Sequence, residues 1–203
     1  CCNATFDAYC DRVEGVSYDS SFDYLAFHTP FGGMVKGAHR SMMRRHAKAS
    51  MDTIEADFKT RVSPGLRLCQ RIGNIMGATV LVSLTGAILN GQYDRAKRIG
   101  CFSYGSGCSS EFYSGVVTAD GQRMVQQSGI AEHLDSRHTL TMPEYEALLE
   151  GCQDLTFGTR NYTASLDMIP AVKSAIERQR ASGGPERLFL KQIKDFHRQY
   201  EYI

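Results

Sequence analysis

The sequence predicts an α/β protein. Three stretches carry that prediction: a short apolar run, Tyr24–His28, set between helix-patterned segments; a long apolar run, Ile75–Leu89; and two β-patterned runs joined by Gly105-Ser106-Gly107. Their order (helix, strand, helices, buried helix, strand pair) is α/β layering. A chain of 203 residues, 42% of them hydrophobic, can build a core and has the size of one domain or slightly more.

The elements follow in chain order. Phe6, Tyr9, Cys10 and Val13 recur at three- and four-residue spacing, so residues 1–13 read as a helix. A Gly-Val-Ser-Tyr-Asp-Ser loop leads to the strand at 24–28. Pro30 then opens a helix running to about Ala47, since proline suits a first turn. Residues 52–62 read as a second helix, stopped near Ser63-Pro64-Gly65. The run Ile75–Leu89 is too long for one strand and apolar on nearly every face. It reads as a helix buried all round, with Asn74 at its start and Asn90-Gly91 at its end. The segment 97–118 reads as two strands around the glycine turn. Beyond Thr118 the pattern weakens. "MPEYEALLEGC" is a short helix with a proline start, and "IPAVKSAIERQRAS" is another, ended by Gly183-Gly184-Pro185. "FLKQIKDFHRQYEYI" is a terminal amphipathic segment.

Bulk properties exclude several classes. A net charge of +1 gives no global reason to bind nucleic acid or membrane. The seven cysteines are scattered without any C-x-x-C spacing, which argues against a metal site or a disulfide framework. The thiols read as reduced and the protein as cytoplasmic. No apolar run reaches the roughly 18 residues of a membrane span, and no signal peptide is present. The chain opens without Met, directly in a helix pattern, and so reads as part of a longer protein.

Four features could carry chemistry. His28 is either a hydrogen-bonded strand-end histidine or a side chain aimed into the crevice where α/β sheets hold ligands, with Gly32 and Gly33 allowing close approach. Asn74 is either an N-cap or an amide that holds a carbonyl oxygen or water at a helix N-terminus. Gly105-Ser106-Gly107 makes a turn, and such a turn also exposes N–H groups of the kind an oxyanion hole needs. Lys36, Arg40, Arg44 and Lys48 recur every fourth residue and face one way on a helix, with no acid interrupting the stripe. They form either a solvated face or a dock for an anionic partner. No nucleophile stands out: Cys69, Cys101, Cys108 and Cys152 lack a neighbouring base and read as small buried hydrophobes.

Together "FHTPFGGMVKGAHR", "RIGNIMGATVLVSL" and "RIGCFSYGSGCSSEFYSG" resemble the C-terminal half of 3-hydroxy-3-methylglutaryl-CoA synthases, strongly over about residues 1–118 and more loosely in "AEHLDSRHTLTMPEYEALLEG". The resemblance implies the C-terminal half of a thiolase-like fold: a mixed sheet packed against helices, with a buried central helix. It implies a core at about 1–118 and a family-specific extension at about 119–203. The N-terminal half, with its cysteine nucleophile and glutamate, is absent from these residues, and the complete enzyme is implied to be a homodimer.

The resemblance also implies roles. His28 matches the family histidine and Asn74 the asparagine of its Gly-Asn motif; Gly105, Ser106 and Gly107 match the turn near the nucleophile. Synthases that use CoA carry lysine five positions after the histidine, where this chain has Gly33. The wording looks more like the synthases of polyketide β-branching, which act on β-ketoacyl groups held on an acyl carrier protein. The stripe Lys36, Arg40, Arg44, Lys48 suits such a carrier. The implied activity is an aldol-type acetyl condensation on substrates that bring their own phosphopantetheine, with no cofactor or metal bound by the chain. The rival readings are a CoA-using synthase of the mevalonate route and a non-catalytic binding half.

Overall fold

The run Tyr24–Phe27 forms β1, and every residue of it is buried. The computed structural model describes residues 1–153, 155–168, 170–184 and 186–203, and the chain divides into two units, Cys1–Leu134 and Asp135–Ile203. In the first unit β1 pairs in parallel with β2 (Lys97–Gly105), which pairs antiparallel with β3 (Ser109–Val117). The sheet is mixed, as expected. Alternate side chains of β1 enter different cores. Leu25 and Phe27 join Phe6, Tyr18, Phe22 and Phe112, while Tyr24 and Ala26 join Val80, Ala87, Ile99 and Cys101. Helices therefore cover both faces. The helix α1 (Cys2–Cys10) supplies Phe6 to the first core.

The helix after His28, α2 (Gly32–Met42), runs on through a π turn, Met43–Ala47, to the expected end. Lys48, with φ 51°, closes it in the left-handed region. Next comes α3 (Met51–Asp57), whose N-cap Ser50 accepts the Thr53 N–H. The expected stop at Ser63-Pro64-Gly65 is corrected. After a π turn, Phe58–Val62, the chain enters α4 (Ser63–Ile72) directly. Pro64 sits in the first turn of α4, where its missing N–H costs nothing. Gly65 serves a helix crossing: a Cβ there would lie 2.8 Å from Ser83 O, and a Cβ at Gly86 would lie 2.5 Å from Gly65 O. The backbones of α4 and α5 touch at this pair.

The long apolar run forms a 3₁₀ turn, Met76–Ala78, and then α5 (Thr79–Asn90). Two expectations change here. The helix is buried on one side only: Val80, Ser83 and Ala87 are buried, whereas Leu81 is 57% exposed. A uniformly apolar run has no polar contrast to mark its covered side. Asn74 does not head the helix, whose N-cap is Ala78.

The β2–β3 hairpin turns at Ser106-Gly107-Cys108, with φ 81° at Gly107 and 61° at Cys108. Beyond it, α6 (Ala119–Gln127) is capped by Thr118, and α7 (Ile130–Asp135) follows. In the second unit α8 (Met142–Gly151) carries a full capping box, Thr141 with Glu144. Strand β4 (Tyr162–Thr163) precedes α9 (Pro170–Ala181); Ile169 and Pro185, at the ends of the expected helix, lie outside the described residues. The terminal segment is a hairpin, β5 (Leu188–Lys194) and β6 (His197–Tyr202). Asp195 and Phe196 both have positive φ, as a two-residue hairpin turn needs.

The seven cysteines are free; Cys69 and Cys101 are buried, but Cys108 and Cys152 are exposed, against the expectation for those two. Among the described residues no helix is long and apolar enough to cross a membrane.

Candidate active site around His28

Parallel pairing places His28 just past the end of β1, where its backbone N–H still reaches Phe102 O at 2.8 Å. The side chain borders a cavity of about 320 Å³ whose walls include Cys2, Met34, Val35, Phe102 and Tyr104. The Tyr104 ring lies 5.7 Å from the imidazole, centroid to centroid. His28 thus stands with Cys2 and Tyr104 as a titratable group in a largely apolar hollow, the usual composition of a small-molecule site. Burial pushes its pKa below the ordinary 6.5, so the imidazole is neutral at pH 7.

One ring nitrogen is held. His28 Nδ1 lies 2.8 Å from Thr79 Oγ1, in the first turn of α5. The same hydroxyl oxygen lies 2.7 Å from Met76 O and accepts the Thr29 N–H at 3.2 Å. One turn further on, Ser83 Oγ accepts the Phe27 N–H at 3.2 Å. Two hydroxyls at one-turn spacing therefore tie α5 to the end of β1, and the glycine crossing with α4 sets where α5 lies. The sequence does not point to Thr79. A threonine in an apolar run gives no local signal, and its partner is 51 residues away.

Asn74 and His28 border different hollows. Asn74 is exposed beside a cleft of about 260 Å³ near Pro30, Gly32, Cys69 and Gln70. Hydrogen bonds nevertheless connect the two residues. Asn74 Oδ1 accepts the Met76 N–H at 2.9 Å, Met76 O meets the Thr79 hydroxyl, and that hydroxyl meets His28. Met76 holds a left-handed φ of 58°, a conformation that costs a non-glycine residue energy and that these contacts maintain.

None of the other candidates lines the hollow of His28. Gly105 ends β2 and Ser106 and Gly107 are exposed at the hairpin tip, adjacent in sequence to Tyr104. Gly33 is in the first turn of α2; a Cβ there would stand 3.1 Å from the Phe31 ring, which is 60% exposed and able to move. The cationic stripe is less uniform than its spacing implies. Lys36 bonds Glu55 of α3 at 2.7 Å, with Arg40 at 3.9 Å from the same carboxylate, and Lys36 holds the Glu55 pKa below its ordinary value. Arg44 points a guanidinium nitrogen at Met51 Sδ. Lys48 falls off the stripe because it lies past the helical segment, in the left-handed conformation that ends it. Arg40 and Arg44, with Asn3, Ser41 and Arg45, border an open hollow of about 540 Å³. Among the described residues no group of three or more His, Cys, Asp or Glu could hold a metal.

A second histidine, His39 of α2, is fully buried. Its Nδ1 lies 3.0 Å from the Tyr18 hydroxyl and its Nε2 3.0 Å from Asp57 Oδ2, off the line of a straight hydrogen bond. Asp57 also receives Arg61 Nε and an Arg61 terminal nitrogen, at 2.7 and 2.8 Å. Burial raises the Asp57 pKa, but the bonds from His39 and Arg61 outweigh it and leave the carboxyl below its ordinary value.

Comparison with known proteins agrees with this architecture. The chain is 52% identical over its whole length to the polyketide biosynthesis 3-hydroxy-3-methylglutaryl-ACP synthase PksG of Bacillus subtilis (strain 168), of which it covers 47%. It is 36% identical over 161 residues to a hydroxymethylglutaryl-CoA synthase of Saccharomyces cerevisiae, covering 64% of this chain and 33% of that one. The chain thus spans about half or less of the curated relatives it matches. Among solved structures, the HMG synthase of the curacin biosynthetic pathway, in complex with apo donor-ACP, superposes with a TM-score of 0.93 at 54% identity, covering all of this chain and 49% of that one. MvaS in complex with 3-hydroxy-3-methylglutaryl coenzyme A superposes with a TM-score of 0.63 at 22% identity, a likeness of fold. The family model described as hydroxymethylglutaryl-coenzyme A synthase C terminal matches residues 39–201, and this chain belongs to that family.

Proposed function

We propose that this chain is the C-terminal half of a two-half synthase that adds an acetyl-derived carbanion to the β-keto carbon of an acyl group held on a carrier protein. The observation that carries the reading is His28. It is a neutral imidazole at the edge of an apolar hollow, fixed at one nitrogen and with the rest of the ring beside the space a ligand would occupy. On this reading the N-terminal half supplies the cysteine that takes up acetyl and the glutamate that removes a methyl proton. The carbanion attacks the β-keto carbon, whose carbonyl electron pair moves to oxygen, and the proton taken from the methyl passes by way of His28 to that oxygen. Hydrolysis of the cysteine thioester releases the product. Asn74 orients the ligand or a water, and the Gly105-Ser106-Gly107 backbone faces the thioester carbonyl. Residues 119–203 form a family-specific extension to a core at 1–118.

Carrier protein is the favoured substrate bearer because two relatives point that way. One at 52% identity is named for ACP, and another at 54% has been solved with donor-ACP. Gly33 agrees, since it lacks the lysine expected of CoA users. Arg40 and Arg44 provide cations for an acidic carrier. The substrate brings its own phosphopantetheine, and the complete protein is a cytoplasmic homodimer. The exposed apolar residues Ile75, Met76 and Leu81 fit a chain whose other half lies over them.

The test compares turnover of acetoacetyl-carrier protein and acetoacetyl-CoA by the full-length protein. Preference for the carrier-bound ester is expected. Efficient use of the free CoA ester would overturn the carrier assignment, and absence of condensation with both would favour a binding role.

A further inference from the structure

We propose that Thr79 is a positioning residue for His28: its hydroxyl fixes the neutral imidazole as the tautomer protonated on Nδ1, leaving Nε2 as a bare lone pair. The inference deepens the proposed function and rests on its reading of His28 as an acid–base group.

Only one arrangement of protons satisfies the groups around Thr79 Oγ1. A threonine hydroxyl has one proton to give and two lone pairs to receive. Three groups surround Thr79 Oγ1. Met76 O, at 2.7 Å, can only accept, and the Thr29 N–H, at 3.2 Å, can only donate. The hydroxyl proton therefore goes to Met76. The lone pair left over faces His28 Nδ1 at 2.8 Å, and that contact is a hydrogen bond only if Nδ1 carries the proton. The opposite assignment would set two oxygens 2.7 Å apart with no proton between them. Thr79 is completely buried, so water cannot relieve such a clash. A serine at 79 could make the same three bonds; a valine of similar shape could make none.

The chemical consequence is directional. Neutral His28 can accept a proton or hydrogen bond at Nε2, and it donates from Nε2 only after becoming imidazolium. The same hydroxyl joins the histidine to the Met76 turn and, through the Met76 N–H, to Asn74.

Thr79→Ser and Thr79→Val in the full-length protein test this. Condensation by Thr79→Ser should stay near wild type, whereas Thr79→Val should lose about tenfold or more in kcat with KM little changed. Cysteine acetylation should be unaffected, and the acidic limb of the condensation pH profile should move in Thr79→Val alone. In a His28→Ala background Thr79→Val should add nothing. Ring ¹⁵N shifts of neutral His28, assigned by loss of the signal in His28→Gln, should show protonated Nδ1 and bare Nε2. A wild-type Nε2–H tautomer would overturn the inference. So would a Thr79→Val profile identical to wild type, or an equal loss without His28. A wild-type protein that performs no condensation would overturn the functional reading instead, and the ¹⁵N shifts would still decide the tautomer.

Discussion

His28 and His39 lie close together in the sequence, at the end of β1 and in the following helix, yet their surroundings make them different groups. His39 is completely enclosed, with a phenol at one ring nitrogen and a carboxylate at the other. His28 has a neutral hydroxyl at one nitrogen and borders a cavity. A histidine enclosed in a core, bonded at one nitrogen and with a carboxylate 3.0 Å from the other, braces its neighbours. A histidine held at one nitrogen beside open space has a second nitrogen available for chemistry. Two substitutions should separate these roles.

The largest effect is expected at the brace. Asp57→Ala strands Arg61 and His39 in the interior, where loss of one partner of a buried charge pair costs about 3–5 kcal/mol. Chemical denaturation of the full-length protein should show that loss, with little change in condensation per folded molecule. A variant as stable as wild type would remove the distinction between the two histidines. His28→Ala should do the reverse. It should cut condensation by about 10²-fold or more, the usual reach of acid–base catalysis, while cysteine acetylation holds and stability falls far less than in Asp57→Ala. If acetylation falls equally, His28 is structural too.

Gly86→Ala should sharpen the comparison from the helix side. Its Cβ would meet Gly65 O, and overpacking of this kind costs about 1–3 kcal/mol. Because α5 carries Thr79, condensation should fall as well, unlike in Asp57→Ala. The smallest effect is expected on the surface. Arg44→Glu should weaken carrier-protein binding at low salt more than Lys36→Glu does, since Glu55 already neutralises Lys36. Equal effects of the two would show that the Glu55 pairing does not matter to docking.

pH separates the histidine regions further. The folded-state pKa of His28 lies below 6.5, so the unfolded chain binds its proton more readily. Its contribution to stability is present above 6.5 and is lost as pH falls towards the folded-state value. Asp57 acts lower, because its carboxyl is held below the ordinary 3.8 and its contribution is lost only as pH falls through that depressed value. Acid denaturation of His28→Ala and Asp57→Ala should therefore depart from wild type in different pH windows, the histidine variant at the higher one.

The β2–β3 hairpin and the place of His28 at a strand end can be read from local patterns, whereas the mixed sheet follows only from the family resemblance. What escaped depended on distant partners or on geometry that leaves no trace in composition. Pro64 looked like a stop because proline can end one helix or start another, and only packing shows which. Lys48 takes the left-handed conformation that ends the helix, so a four-residue stripe that is regular in the sequence loses its last member. The terminal hairpin turns at Asp195-Phe196 without a glycine, which hid it. Thr79 was invisible because its importance comes from three partners in three dimensions.

The contact between Gly65 and Gly86 has a consequence for how this protein can diverge. Thr79 and Gly86 lie on one stiff rod, with Ser83 between them, and no slack remains at the crossing. A side chain gained at either glycine would tilt or slide the rod and carry the hydroxyl away from the imidazole. Packing at the crossing and the position of the Thr79 hydroxyl thus depend on one another. A lineage that alters the helix crossing must also find a new way to hold its histidine.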